Sequence, residues 1–261
     1  MLPALWVSKT GLSAQDMNLT TISNNLANVS TTGFKRDRAE FQDLLYQIRR
    51  QPGGQSSQDS ELPSGLQLGT GVRVTGTQKI FTAGSLQTTE QPLDMAVNGR
   101  GFFQVLLPDG TVSYTRDGSF HLRSDGQLVT SNGYALEPAI VVPPETQTFT
   151  VGEDGTVSVT TVGNPQPQII GNLQTADFIN PAGLQAMGSN LFLETAASGA
   201  PQVSTPGLNG LGTVLQNTLE NSNVSVVEEL VNMITTQRAY EMNSKVISTA
   251  DQMLSFVTQQ L

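Results

Sequence analysis

Ser225-Val226-Val227-Glu228-Glu229-Leu230-Val231-Asn232-Met233-Ile234 opens about 35 residues without glycine or proline. Val226, Met233, Tyr240, Ile247, Leu254 and Leu261 recur every seven residues, while Leu230, Ile234, Ala250 and Val257 widen the stripe. That is the period of a helix with one apolar face. Ser225 and Glu228 form a capping box, each answering an orphan amide of the first turn. A periodic stretch this long points to a coiled coil or a helical assembly.

The amino end mirrors it. Leu5, Leu12, Leu19 and Leu26 also fall seven apart, with Ile22 and Val29 three residues after the last two. Ser8 and Gln15 occupy intermediate positions, so the early seam is half polar. Only Lys9 and Asp16 carry charge in the first 34 residues, and Ser30-Thr31-Thr32-Gly33 supplies the stop. Residues 3–28 predict a helix roughly 39 Å long. The two helices can pair parallel or antiparallel while the middle bulges outward. So many Ser, Thr, Asn and Gln positions make a weak seam for a single pair, which therefore needs neighbours, from its own chain or from copies of it.

Between the helices, residues 68–219 read as β structure. Asp109-Gly110, Asp117-Gly118, Asp125-Gly126 and Asn132-Gly133 come at seven- to eight-residue spacing, and each admits the positive φ of a tight hairpin. The pieces 111–116, 119–124 and 127–131 are strand-length, so a meander is expected; Asp154-Gly155 starts a further strand over 156–162. In residues 51–65, 12 of 15 are Gln, Pro, Gly or Ser, the composition of a flexible linker. A short amphipathic piece, Phe41-Gln42-Asp43-Leu44-Leu45-Tyr46, precedes it and is expected to pack near the first helix. The expected class is α+β: terminal helices forming a coiled-coil layer, with a β-rich middle of short antiparallel strands. The stretches are 1–34, the first helix; 35–70, linker and extended loop; 71–220, the β-rich domain; and 221–261, the last helix.

Composition removes whole classes of chemistry. A formal net charge of −9 gives no Lys/Arg footprint for phosphate, so a nucleic-acid partner is disfavoured. No run of 18 apolar residues exists to span a bilayer as a helix. The amino end lacks the basic and apolar regions of a Sec-type signal peptide. Absent cysteine removes disulfides and thiolate chemistry, and fits either a cytosolic protein or one exported unfolded. The single histidine, His121, sits in a predicted strand with no triad or zinc context around it. Asn98-Gly99-Arg100-Gly101 lacks the third glycine and following helix of a phosphate loop and reads as a hairpin turn. The Asp-Gly pairs lack the alternating ligands and distal Glu of a calcium loop. The expectation is a protein without enzymatic activity, cofactor or metal.

Ile22-Ser23-Asn24-Asn25-Leu26-Ala27-Asn28-Val29-Ser30-Thr31-Thr32-Gly33-Phe34-Lys35 resembles the signature of the flagellar axial proteins, the rod and hook family of the bacterial basal body. Asparagine is a poor choice for a helix interior, and in a dense polymer it can bond a neighbouring subunit. Glu228-Glu229-Leu230-Val231-Asn232-Met233-Ile234, Gln237-Arg238-Ala239-Tyr240-Glu241 and Asn243-Ser244-Lys245 are similar to the same family. So are Gly101-Phe102-Phe103-Gln104-Val105, Tyr114-Thr115-Arg116-Asp117-Gly118-Ser119-Phe120 and Ser204-Thr205-Pro206-Gly207-Leu208-Asn209-Gly210. The loop carrying Gln51, Pro52, Gly53, Leu62, Pro63 and Gly65 looks like one found in members that build the straight distal rod and missing from the curved hook.

The resemblance implies a self-assembling structural subunit of a tube that transmits motor torque. It implies terminal helices around an export channel, the β domain outside, and a path from periplasm to outer membrane. Implied partners are copies of the chain, neighbouring rod and hook proteins, peptidoglycan and outer-membrane ring proteins, and the flagellar type III export apparatus. The assembly contacts would fall on Leu5, Leu12, Leu19, Ile22, Asn24, Asn25, Leu26, Asn28, Val29, Gly33 and Phe34, and on Val226, Leu230, Met233, Tyr240, Ile247, Leu254 and Val257. Another axial protein, hook or proximal rod, and a secreted β-rich binding domain are the alternatives.

Overall fold

The computed structural model describes residues 2–53, 55–57, 60–61 and 63–259. Leu62 and Leu261 lie outside the described residues, as does the side chain of Val257. Two compact units form: Met1–Ala27, Asp37–Gln78 and Ser225–Leu261 in the first, Asn28–Arg36 and Lys79–Val224 in the second. The first helix is thus separated from its own exit segment, and residues 71–78 stay with the helices.

In the first unit α1 (Leu2–Ala27) lies against α2 (Val226–Gln259). Ser225 sits just before α2, and its carbonyl accepts the amide of Glu229 at 3.0 Å, the first intrahelical bond. Residues 37–79 form one long ribbon. Asp37–Asp43 pairs with Val72–Lys79, Gln47–Arg50 with Leu66–Leu68, and Gln55–Ser57 with Ser60–Glu61. Within the linker expected over 51–65, the described residues 55–57 and 60–61 are therefore paired strand, and the piece 41–46 is strand and strand connection. Hydrogen bonding that composition does not advertise is the reason: the Leu44 amide donates to Gly71 O at 2.9 Å, and the Thr70 hydroxyl to Leu45 O at 2.7 Å. Gly71 seats the ribbon on α1. Its φ is +120°, and a Cβ there would fall 2.2 Å from Thr10 Oγ1.

The second unit holds the main core. Phe102 and Phe103 are consecutive on strand Phe102–Leu106 and so face opposite sides of the sheet. Phe103 joins Met95, Val97, Phe120, Leu128, Leu136 and Val157 in one cluster. Phe102 joins Tyr114, Phe178 and Phe192 in another, with edge-to-face ring pairs 4.8–6.1 Å apart. Along the main sheet the strands run Phe120–Leu122, Leu128–Thr130, Ala135–Glu137, Phe102–Leu106, Val112–Thr115, Leu191–Leu193, Gln185–Gly188. A three-stranded sheet, Thr146–Val151, Thr156–Thr161 and Asn164–Asn172, packs beside it.

The turns at Gly110, Gly126, Gly133 and Gly155 close hairpins with φ between +81° and +84°. Asp117-Gly118 does not, which breaks the expected meander. Asp117 Oδ1 instead accepts the amide and hydroxyl of Ser119, and Gly118 O accepts the amide of Met95 at 3.0 Å. Strand Ala135–Glu137 therefore returns beside Phe102–Leu106. Asn98-Gly99-Arg100-Gly101 is not a hairpin either. It is a corner between two sheets, bent by positive φ at Gly99 and Gly101, because Met95–Asn98 pairs with Thr213–Gln216.

Candidate assembly surface

The seam of the helix pair is small and polar. Asn18 Nδ2 donates to Thr236 Oγ1 at 3.1 Å, and Asn25 Nδ2 lies 3.5 Å from Glu229 Oε1. A Cβ on Gly11 would sit 3.2 Å from Asn243 Nδ2. Steps of seven up α1 (11, 18, 25) match steps of seven down α2 (243, 236, 229), so the pair is antiparallel with a fixed register. Ser8, Ala14, Thr21 and Ile22 are buried beside it. Asn25 also bonds both ways with the backbone of Asp37, at 2.8 Å each, and so fixes the exit toward the ribbon.

The heptad leucines are not this seam. Leu12, Leu19 and Leu26 each follow a seam residue directly, which places them about 100° round the helix. They and Leu5 are half-buried. On α2 the column Val226, Met233, Tyr240 runs three residues before the seam; Met233, Ile247 and Leu254 are half-buried, while Val226, Leu230 and Tyr240 are 41–43% exposed. Asn24 is exposed. Further round α2 stand Val227 at 73% exposure, Met242 at 62%, and Met253 and Phe256 at 60%. Asn28, Val29, Gly33 and Phe34 belong to the second unit instead. On the ribbon Gln51, Pro52, Gly53 and Pro63 are exposed, and Gly65 packs so closely that a Cβ would lie 2.5 Å from Arg50 O.

Sequence reasoning missed Gly11, Asn18, Thr236 and Asn243, because it looked for apolar residues at seven-residue spacing. It also missed a buried ionic cluster in the second unit. Lys35 Nζ lies 2.6 Å from Glu220 Oε1 and donates to Thr82 O at 2.8 Å. Arg116 Nη1 lies 3.3 Å from Glu220 Oε2, and its guanidinium donates to Val97 O and Gly99 O. Burial pushes Lys35 below its ordinary pKa, with the Glu220 carboxylate opposing. The same two causes act on Arg116. The cluster ties the exit of α1 to the approach to α2, helped by Asn223, whose amide bonds Arg36 N, Ile80 O and Thr82 O.

Family models match three stretches: flagella basal body rod protein over residues 5–35, flagellar hook protein FlgE/F/G D1 domain over 96–159, and flagellar basal body rod FlgEFG protein C-terminal over 215–260. The flagellar basal-body rod protein FlgG of Buchnera aphidicola subsp. Schizaphis graminum is 58% identical, covering 99% of this chain and 100% of its own. That of Caulobacter vibrioides is 49% identical over 99% of each. The chain belongs to the FlgG family of flagellar basal-body rod proteins. As a FlgG-family member it is a structural subunit of the flagellar basal body that polymerises with other rod and hook proteins. The three matched stretches supply α1, the core strands and α2. Lys35, Arg116 and Glu220 fall one in each. Among the described residues no helix is long and apolar enough to cross a membrane.

Proposed function

We propose that this chain builds the distal rod, the drive shaft of the flagellum, as a straight helical tube that carries torque and encloses the export channel. The carrying observation is the apolar surface left open on both terminal helices: Trp6 on α1, and Val227, Val231, Met242, Met253 and Phe256 on α2, all more than half exposed. Each gains on the order of 1 kcal/mol when covered, so the pair is incomplete alone. Copies added head to tail cover it without closing a ring. The proposed interface residues on 1–34 and 221–261 make the inner layers, and 71–220 faces outward toward the peptidoglycan and outer-membrane rings. The subunit travels unfolded through the flagellar type III apparatus and orders at the growing tip, across the periplasm to the outer membrane. The 51–65 end of the ribbon bridges neighbouring subunits and stiffens the tube.

Electron microscopy of the concentrated chain beside a variant lacking residues 51–65 tests this. Straight tubes from the first and bendable ones from the second are expected. Equal stiffness retires the bridging role, and absence of tubes retires the rod reading.

A further inference from the structure

We infer that a groove on the helix pair receives the ribbon arginines Arg49 and Arg50 of a second copy, an inference that rests on the rod reading and names one contact within it. The groove, about 300 Å³, is floored by Leu19 and Tyr240 and flanked by Asp16 and Glu241. Both carboxylates are exposed, and neither forms an ion pair among the described residues. Two carboxylates beside an aromatic ring suit a guanidinium, which can bond an acid through its fork while lying on the ring.

The chain has 13 basic residues to fill it. Lys35 and Arg116 are buried. Seven others already have a hydrogen bond, an ion pair, a ring contact or another electrostatic interaction. Of the four that remain, Arg238 and Lys245 stand on α2 itself. Arg49 and Arg50 are adjacent, exposed, and held out on a strand whose neighbours Tyr46 and Ile48 are 52% and 57% exposed. Arg49 is the extra residue of a bulge between Ile48 and Arg50, which breaks the regular alternation of the strand, and the two adjacent cations with an apolar flank complement two anions with an apolar floor. In their own chain they do not line the groove, which leaves them open to the groove of a second copy. A chain of net charge −9 that packs against itself also needs such a pairing to offset its repulsion.

The absence of cysteine makes the test direct. Full-length Arg50→Cys, carrying a tag that shifts its mass, is mixed with untagged Glu241→Cys, polymerised and treated with a bismaleimide whose arm matches the reach of an arginine–glutamate pair, which is longer than a disulfide spans. A mixed cross-linked dimer that depends on polymerisation is expected. Tubes that form without it overturn this contact and leave the rod reading standing; no tubes from the unsubstituted chain sink both. Charge reversal gives a second measurement. Arg49→Glu with Arg50→Glu should raise the critical concentration about tenfold or more, the weight of roughly 1.4 kcal/mol. Adding Asp16→Lys and Glu241→Lys should restore it to within about twofold. Failure of the swap to restore assembly overturns the pairing.

Discussion

At the residue scale, Glu220 carries the most. It is 1% exposed and holds two cations drawn from far along the chain, Lys35 being 185 positions away. Replacing a buried pair by apolar groups can be neutral, but removing one partner leaves the others charged and dry. Glu220→Ala strands both Lys35 and Arg116. It should cost about 3–5 kcal/mol, read as a lowered urea midpoint at unchanged slope. Nothing local announces this, since a lysine beside an exit turn is ordinarily a solvated one. Tyr114 gives a pH prediction. Its burial, then the Glu194 charge, raise its pKa to about 12. A raised folded pKa means the neutral ring stabilises the fold below the unfolded value near 10, and that stability is lost as pH rises from about 10 to 12. Tyr114→Phe should therefore show a shallower loss of stability over that window; an unchanged alkaline limb contradicts the shift.

At the scale of elements, the helices were legible and their seam was not. The seven-residue columns gave both lengths to within a few residues, because periodicity records which side avoids water. They could not say which side meets the partner helix. Leu12 and Leu19 flank that line, while Gly11 and Asn18 occupy it, because small and polar residues let two backbones approach where leucines would hold them apart. The Asp-Gly and Asn-Gly turns show the same limit: four of five close hairpins, but Asp117-Gly118 is fixed by its contact with Met95, which no local signal carries. The seam can be challenged at Gly11. Gly11→Ala meets only the mobile end of Asn243, and the roughly 0.5–1 kcal/mol gained from a better helix former offsets the crowding. Gly11→Leu should instead part the helices. Assembly is expected to survive the first change and fail with the second, as measured by sedimentation. Tubes from the leucine variant would mean the seam is not used.

At the scale of the molecule, the two units predict two stabilities. Residues 28–36 belong with the β core, pinned by Lys35, so a fragment that keeps 28–224 retains the whole ionic cluster. The helices are joined instead through the small polar seam of Asn18, Asn25, Glu229 and Thr236. Carried toward the amino end, the antiparallel register places Leu2 opposite Gln252, so α2 runs on past α1 through Met253 and Phe256. Those side chains are 60% exposed, and among the described residues no other helix lies beside these last turns to protect their amides. In dilute solution hydrogen exchange should be slowest at Val97, Phe103 and Val157, and fastest in α2 beyond Gln252. In assembled tubes the same turns should slow by orders of magnitude while the β core changes little. If they already exchange slowly in isolated chains, the apolar surface of α2 needs no neighbour, and assembly does not run through it.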